Sequence, residues 1–215
     1  MTGFVHIIFI VIGFIISLFI VFKKETELYL KFFSPFLLIA AIVELVGFEL
    51  GRHKISNAKM YNIFSAFEFV FYFWVVGLII KNEKIKQVLK SFLFIYPLIF
   101  FLEYVFSSVS TGFYSVTYSI GSFFIIIFCV YYFFELFQLP HSIKLVNEPS
   151  FWICSGLLFF YTCTFPLFGM ANYLKLLPRI LMMNLWVIVY VLNILLYSSF
   201  AIAFLCRLKV RKYSS

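Results

Sequence analysis

The chain has 215 residues, of which 64% are hydrophobic, and its mean hydropathy is +1.07. Soluble domains are about half apolar, so this composition excludes a large soluble domain and predicts a membrane protein that lies in a lipid bilayer. The net charge is +8, but Lys and Arg lie mostly between the apolar runs, so we expect no nucleic-acid partner.

Seven apolar runs follow one another along the chain, and each is long enough to cross about 30 Å of hydrocarbon as a helix. Because lipid leaves an unpaired backbone without partners, and the runs lack the alternation of barrel strands, helices are predicted. The runs cover residues 4–22, 32–50, 61–80, 88–106, 114–138, 150–170 and 182–206. They predict an all-α, polytopic membrane protein, a single domain over 1–215 built as a bundle of seven transmembrane helices.

The boundaries of the runs carry local signals. No Lys or Arg precedes the first run, and Lys23 and Lys24 follow it, which is the reverse of a secretory signal peptide, so a retained span is expected. Pro97 should kink the fourth helix rather than end it. Pro149, directly after Glu148, is a favourable first residue for the sixth helix.

The distribution of basic residues predicts an orientation. With Lys90, at the start of the fourth run, counted in the third connection, twelve of the 17 Lys and Arg lie in the first, third and fifth connections and the C-terminal tail, and the other five lie in the second and sixth connections. Because cytoplasmic segments carry the excess of Lys and Arg, we expect the N-terminus outside and the C-terminus in the cytoplasm. An odd number of spans agrees with that orientation.

Five of the nine Glu residues lie within the predicted spans, and the chain has no Asp. A charged carboxylate at the centre of a span costs about 2.5–3.5 kcal/mol, so a polar role is the default hypothesis. Glu49, Glu103 and Glu135 lie near helix ends, where they can reach interfacial water. Glu44 and Glu68 lie deeper, slightly to the outer side of the midplane, with no Lys or Arg at that depth. We therefore expect each of these two to be protonated, hydrated, or paired with something from outside.

Helical spacing places Glu68 on a polar stripe of the third helix. Tyr61, Ser65, Glu68 and Tyr72 recur at steps of three and four residues, so their side chains share one face. An aligned row of hydroxyl and carboxyl groups within a span is expected to point to other helices or to a hydrated cavity.

On the second helix, Glu44 shares a face with Gly47 and Gly51, which form a GxxxG motif. Small residues at this spacing let another helix approach closely. If the second and third helices are antiparallel neighbours, Glu44 and Glu68 lie at similar depth and share a cavity.

Other polar side chains gather near the same outer end and predict an outward-facing pocket lined by the first, second, third, sixth and seventh helices. The candidate ligand- or proton-binding residues are Glu44, Glu68, Ser65, Tyr61, Asn62, His6, Glu49, Arg52 and His53, with Thr162, Thr164 and Asn184 expected beside them. The alternative is ordinary interhelical hydrogen bonding, in which the glutamates are neutral. The seventh-helix face with Trp186, Tyr190, Asn193 and Tyr197 is interpreted as packing.

Catalytic chemistry finds little support in the sequence. There is no nucleophile with a matching base, no glycine-rich phosphate loop, no haem ligand pair, and no Lys in the last span for a retinal Schiff base. With His141 predicted on the cytoplasmic side, one metal arrangement stays open, formed by His6, His53 and Glu49. We predict no enzyme, catalytic residue, cofactor or resident metal, with an intramembrane metal-dependent hydrolase as the alternative.

The segments YNIFSAFEFVFYF and EPSFWICSGLLFFYTCTFPLFG, with the basic end AFLCRLKVRK, resemble a known group. They are similar to uncharacterised seven-helix integral membrane proteins of bacteria, some of which serve as sensory input modules of histidine kinases. The resemblance implies the inner (plasma) membrane of a bacterium and a sensory role. Because the chain ends nine residues after the seventh run, we expect its signal to pass to a separate protein.

These observations predict a receptor-like sensory membrane protein. It would bind a small ligand or cation, or respond to protonation, in the outer pocket, and signal to a separate cytoplasmic partner at the first and third connections and the basic tail. Two alternatives stay open. One is a small proton- or cation-coupled transporter that uses Glu44 and Glu68, and the other is a structural subunit of a membrane assembly.

Overall fold

Seven helices make up the computed structural model, which describes residues 5–23, 26–106, 112–138, 145–170 and 179–209. Within these ranges there is no strand, and one short 3-10 helix, Leu145–Asn147, precedes the sixth helix. The helices are α1 (Val5–Val21), α2 (Leu28–Arg52), α3 (Ala58–Ile79), α4 (Glu83–Phe106), α5 (Ser115–Phe137), α6 (Pro149–Gly169) and α7 (Arg179–Lys209).

The helices have the length and apolar surface of membrane spans. Six of those described, α2 to α7, are long and apolar enough to cross a bilayer, and α1 is an apolar helix of 17 residues. Large hydrophobic side chains such as Phe94, which is 80% exposed, cover the outside of the bundle. The predicted all-α, polytopic membrane fold is confirmed, whereas the orientation of the termini and the choice of membrane stay predictions.

Helix boundaries follow the predicted runs, with earlier starts at four helices. The helices that begin earlier are α2 at Leu28, α3 at Ala58, α4 at Glu83 and α7 at Arg179, because their first turns carry Lys, Glu or Arg that a purely apolar run does not include. α4 continues through Pro97 as one helix. Pro149 lies in the first turn of α6, after an extended Glu148, as the sequence predicts.

Consecutive helices run in opposite directions, so the bundle has two distinct ends. α1 packs between α2 and α7, α6 packs between α5 and α7, and α3 contacts α2, α4 and α5. His6 near the start of α1 contacts Glu44 late in α2, and Arg207 late in α7 contacts Glu27 just before α2. We call these the His6 end, which is predicted to face outside, and the Arg207 end.

Two of the glutamates near span ends cap neighbouring helices. The carboxylate of Glu135 accepts hydrogen bonds from the backbone N–H groups of Lys81 at 2.9 Å and Asn82 at 2.8 Å, just before α4. Glu103 accepts a hydrogen bond from the backbone N–H of Thr117 at 2.7 Å and another from its hydroxyl. A carboxylate is stabilising at a helix start, because the first N–H groups there have no partner within the helix. Both glutamates therefore have structural roles away from the predicted pocket.

Candidate functional site

A single carboxylate joins three helices at the His6 end. Nε2 of His6 on α1 lies 3.1 Å from Oε2 of Glu44 on α2, and the Tyr61 hydroxyl on α3 donates a hydrogen bond to the same oxygen at 3.1 Å. The ring of Tyr190 on α7 stacks on His6, with centroids 5.2 Å apart. His6 is buried, and the Glu44 side chain is 20% exposed. Four helices therefore meet around Glu44.

Glu44 has a partner within the bundle that the expected alternatives, protonation, hydration or pairing with something from outside, did not include. No Lys or Arg among the described residues forms an ion pair with Glu44, but His6 does, and it carries a positive charge when protonated. The contact arises because α1 and α2 are antiparallel neighbours, which places the start of α1 beside the late turns of α2.

The missing side chain at Gly47 leaves room for the ring of Tyr61. A Cβ atom added to Gly47 would lie 2.8 Å from Cζ of Tyr61 and closer still to its hydroxyl oxygen, whereas a Cβ added to Gly51 would meet nothing within 4 Å. Only half of the GxxxG motif is therefore used for close packing. It accommodates the tip of a tyrosine that bonds Glu44, rather than the backbone of another helix.

Substitution of these two glycines gives a matched test. Ala is favoured over Gly within a helix by about 1 kcal/mol, so Gly51→Ala is expected to leave stability unchanged or slightly raised. Gly47→Ala is expected to push the Tyr61 hydroxyl off Glu44 and lower the free energy of unfolding by about 1–2 kcal/mol, because a hydrogen bond to a charged group is lost. Unfolding in mixed detergent micelles measures both. Equal stability of the two variants would contradict this role for Gly47.

Glu68 lies in a second polar layer, deeper in the bundle. The Tyr72 hydroxyl donates a hydrogen bond to Oε1 of Glu68 at 3.0 Å. Glu68 is half-buried, and the ring centroid of Tyr161 lies 6.0 Å from that of Tyr72. Tyr61, which bonds Glu44, and Glu68 lie seven residues apart on the same face of α3. The two polar layers are therefore neighbours along α3, whereas a cavity shared by the two carboxyl groups stays a prediction.

Two further candidates on α3, Asn62 and Ser65, form hydrogen bonds with backbone groups and not with Glu44 or Glu68. The side-chain amide of Asn62 donates to the carbonyl of Gly112 at 2.9 Å and accepts from the backbone N–H of Tyr114 at 3.0 Å. The Ser65 hydroxyl donates to the Asn62 carbonyl at 3.0 Å. Asn62 thus fixes the segment that enters α5 and is not a free ligand group, whereas the oxygen of Ser65 keeps its capacity to accept.

The candidates after Glu44 on α2 lie on the surface. Arg52 and Glu49 form an ion pair at 3.0 Å, with side chains 65% and 55% exposed, and His53 is exposed. His6 contacts Glu44 instead, so the proposed trio of His6, His53 and Glu49 is not assembled. Across the described ranges no group of three His, Cys or Glu side chains could hold a metal ion.

Of the residues expected from α6 and α7, some lie on the surface and one is buried and hydrogen-bonded. Thr162 and Asn184 are exposed, whereas the buried Thr164 accepts a hydrogen bond from the Tyr118 hydroxyl at 3.1 Å. On the α7 face that is interpreted as packing, the Tyr190 ring stacks on His6, and the buried Tyr197 ring packs on Phe200 with centroids 6.0 Å apart.

Below Glu68, towards the Arg207 end, lies a phenylalanine layer formed by Phe33, Phe36 and Phe200. All three rings are at most 1% exposed. The ring centroid of Tyr72 lies 5.4 Å from that of Phe36 and 6.1 Å from that of Phe200, and Phe33 lies 5.0 Å from Phe200. Phe36 is eight residues from Glu44 along α2, which is about 12 Å of helix. A layer of buried apolar rings therefore lies between the two polar layers and the Arg207 end.

The fold and the site together define a class of protein: a multi-spanning helical membrane protein in which Glu44 and Glu68 each accept a hydrogen bond from a tyrosine within the bundle. Comparisons with protein-family models, with curated proteins and with solved structures found no match for the chain. The function is therefore inferred from the geometry of the polar layers and of the phenylalanine layer.

Proposed function

We propose that this chain is a receptor-like sensory membrane protein that binds a small ligand or cation, or responds to protonation, around Glu44 and Glu68. The observation that supports this function is the shared contact at Glu44, where His6, Tyr61 and the ring of Tyr190 meet from three other helices. A ligand that competes for this carboxylate changes the contacts of four helices at once. Such differential contact is what a ligand needs in order to shift a conformational equilibrium.

The phenylalanine layer has a different fate in the receptor and in the alternative of a transporter. A transporter must expose its site to each side of the membrane in turn, so the rings of Phe33, Phe36 and Phe200 would have to part. These rings are buried on one side of Glu68, and Phe33 also packs on Phe204, 5.6 Å away between centroids. In the proposed receptor they stay packed, and the site opens to one side only.

A path for the signal runs along α2 and α7 to the opposite end. α7 carries Tyr190 at the His6 end and Arg207 at the other end, where Nε of Arg207 lies 3.3 Å from Oε2 of Glu27. A tilt or rotation of α7 driven at Tyr190 therefore changes a contact beside the first connection. In the predicted orientation this connection is cytoplasmic, where a separate signalling partner would read the change.

Reconstitution of the protein alone in liposomes tests the proposed function. We expect no flux of protons, Rb⁺ or small amines under an imposed gradient, together with ligand binding that is lost in the double variant Glu44→Gln, Glu68→Gln. Catalysed flux that disappears in Glu68→Gln would establish the transporter instead. A double variant that folds and binds as the unsubstituted protein does would show that the two glutamates are structural only.

A further inference from the structure

We propose that the site takes a small primary ammonium ion, held at Glu68 with its N–H groups on the Glu68 carboxylate oxygens and on the Tyr161 hydroxyl. This inference rests on the proposed ligand site, and it adds the chemical class of the ligand. It does not depend on how the signal leaves the protein.

The charge of the two polar layers favours a monovalent cation. Glu44 and Glu68 bring two negative charges when both are ionised, and His6 supplies one positive charge when protonated. In the described part of the chain, no Lys or Arg forms an ion pair with either carboxylate. An uncompensated charge within a span is costly, so one added positive charge stabilises the ionised site. An anion is disfavoured for the same reason.

The hydrogen bonds to the two carboxylates leave one oxygen of each without a donor among the described residues. Oε2 of Glu44 is used by His6 and Tyr61, and Oε1 of Glu68 is used by Tyr72. The other oxygen of each carboxylate accepts no hydrogen bond from a described residue. A carboxylate has about four acceptor positions, so a complementary ligand must bring donors. A primary ammonium brings three N–H donors on a single charge, which matches this need.

Tyr161 is an independent indication that a ligand belongs here. Its side chain is fully buried, and no described residue forms a hydrogen bond with its hydroxyl. The Tyr161 ring centroid lies 6.0 Å from that of Tyr72, whose hydroxyl bonds Glu68. Buried hydroxyls are almost always hydrogen-bonded, so this one requires a partner. A donor bound at Glu68 provides it.

Other cations fit these groups less well. Metal ions of the kind that proteins hold with three or more side chains are disfavoured, because the described residues provide no such group of His, Cys or Glu. A quaternary ammonium would be attracted by the faces of Tyr72 and Tyr161, but it has no N–H to offer the free oxygens. Hydrogen-bond donors therefore decide between the two kinds of ammonium.

Calorimetric titration of the whole protein in lipid nanodiscs tests the ligand class. The probes are n-propylammonium, tetramethylammonium, K⁺ and the neutral 1-propanol. We expect n-propylammonium to bind at least about tenfold more tightly than each of the others, because charge-assisted hydrogen bonds are the strong ones. Glu68→Gln should weaken it by about tenfold or more, whereas Glu49→Gln, at the same end but exposed and paired with Arg52, should not.

Three outcomes would overturn the inference: tetramethylammonium or K⁺ binding as tightly as n-propylammonium, 1-propanol binding as tightly, or no binding of n-propylammonium at all. None of them alone removes the proposed receptor function, which fails on a different result, namely catalysed flux in liposomes. The two proposals are therefore separable by experiment.

The variant Tyr161→Phe tests the place of the ligand. Because no described residue forms a hydrogen bond with the hydroxyl, its removal is expected to leave the melting temperature unchanged or raised, while the affinity for n-propylammonium falls by about three- to tenfold. Tyr96→Phe is the control, since Tyr96 is fully buried and its hydroxyl donates a hydrogen bond to the Thr117 carbonyl at 3.3 Å. It should lower the melting temperature and leave the affinity unchanged. Wild-type affinity in Tyr161→Phe would overturn the proposed placement.

Discussion

Phe33→Ala is expected to lower the free energy of unfolding by about 2–3 kcal/mol, the largest effect of a single substitution in the bundle. Lipid tails are as apolar as a phenylalanine ring, so the usual gain from removing the ring from water is absent. The cavity term remains, and a void of about 100 Å³ at about 24 cal/mol per Å³ accounts for this loss. Unfolding in mixed detergent micelles measures it.

Phe94→Ala is the matched control for Phe33→Ala. Both rings lie on spans, but Phe94 is 80% exposed and Phe33 is fully buried against Phe200 and Phe204. Phe94→Ala leaves no enclosed cavity, so its free energy of unfolding should stay within about 0.5 kcal/mol of the unsubstituted protein. Equal losses in the two variants would contradict the tight packing of the phenylalanine layer.

His6→Ala is expected to cost about 1–3 kcal/mol, the second largest effect. It leaves the Glu44 carboxylate without its only described cationic partner, and removing one member of a buried pair is strongly destabilising. The 20% exposure of Glu44 reduces this cost below that of a fully buried pair. A double-mutant cycle with Glu44→Ala should show a coupling energy of about 1–2 kcal/mol.

The exposed pair of Arg52 and Glu49 provides the control cycle. It lies at the same end of the bundle with a similar separation of 3.0 Å, but both side chains are more than half exposed. Exposed ion pairs contribute about 0–1 kcal/mol, so the coupling energy in Arg52→Ala with Glu49→Ala should be smaller. A coupling at His6 and Glu44 no larger than in this cycle would show that the buried contact carries no special stability.

The architecture was predictable from the sequence because the bilayer imposes it. Runs of about 20 apolar residues must form helices in lipid, and so the seven helices appear at the predicted places. The contact of α2 with α3 beside Glu44 followed from depth alone, since antiparallel neighbouring helices bring residues of equal depth together.

The partners within the site were less predictable, because they depend on how each helix is rotated about its axis. In a membrane most faces of a helix are apolar, so the hydrophobic pattern does not determine which face of a helix packs towards its neighbours. The bond of His6 to Glu44 spans 38 residues, and the orientation of Asn62 towards Gly112 spans 50. Tyr161 follows Phe160 and precedes Thr162 on α6, and nothing in the sequence distinguished it from a packing residue.

The accessibility of Ser65 tests most directly the central claim, that the polar site opens at the His6 end and is closed towards the Arg207 end. Ser65 and Ser150 are both half-buried, on the stripe of Glu68 and at the Arg207 end respectively. Each is replaced by Cys, and a membrane-impermeant cationic thiol reagent is added to either side of sealed vesicles, with the unsubstituted protein as background.

We predict that Ser65→Cys reacts only from the outer side and that n-propylammonium slows this reaction, whereas Ser150→Cys reacts only from the inner side. Reaction of Ser65→Cys from the inner side, or from neither side, would contradict an outward-facing site closed by the phenylalanine layer.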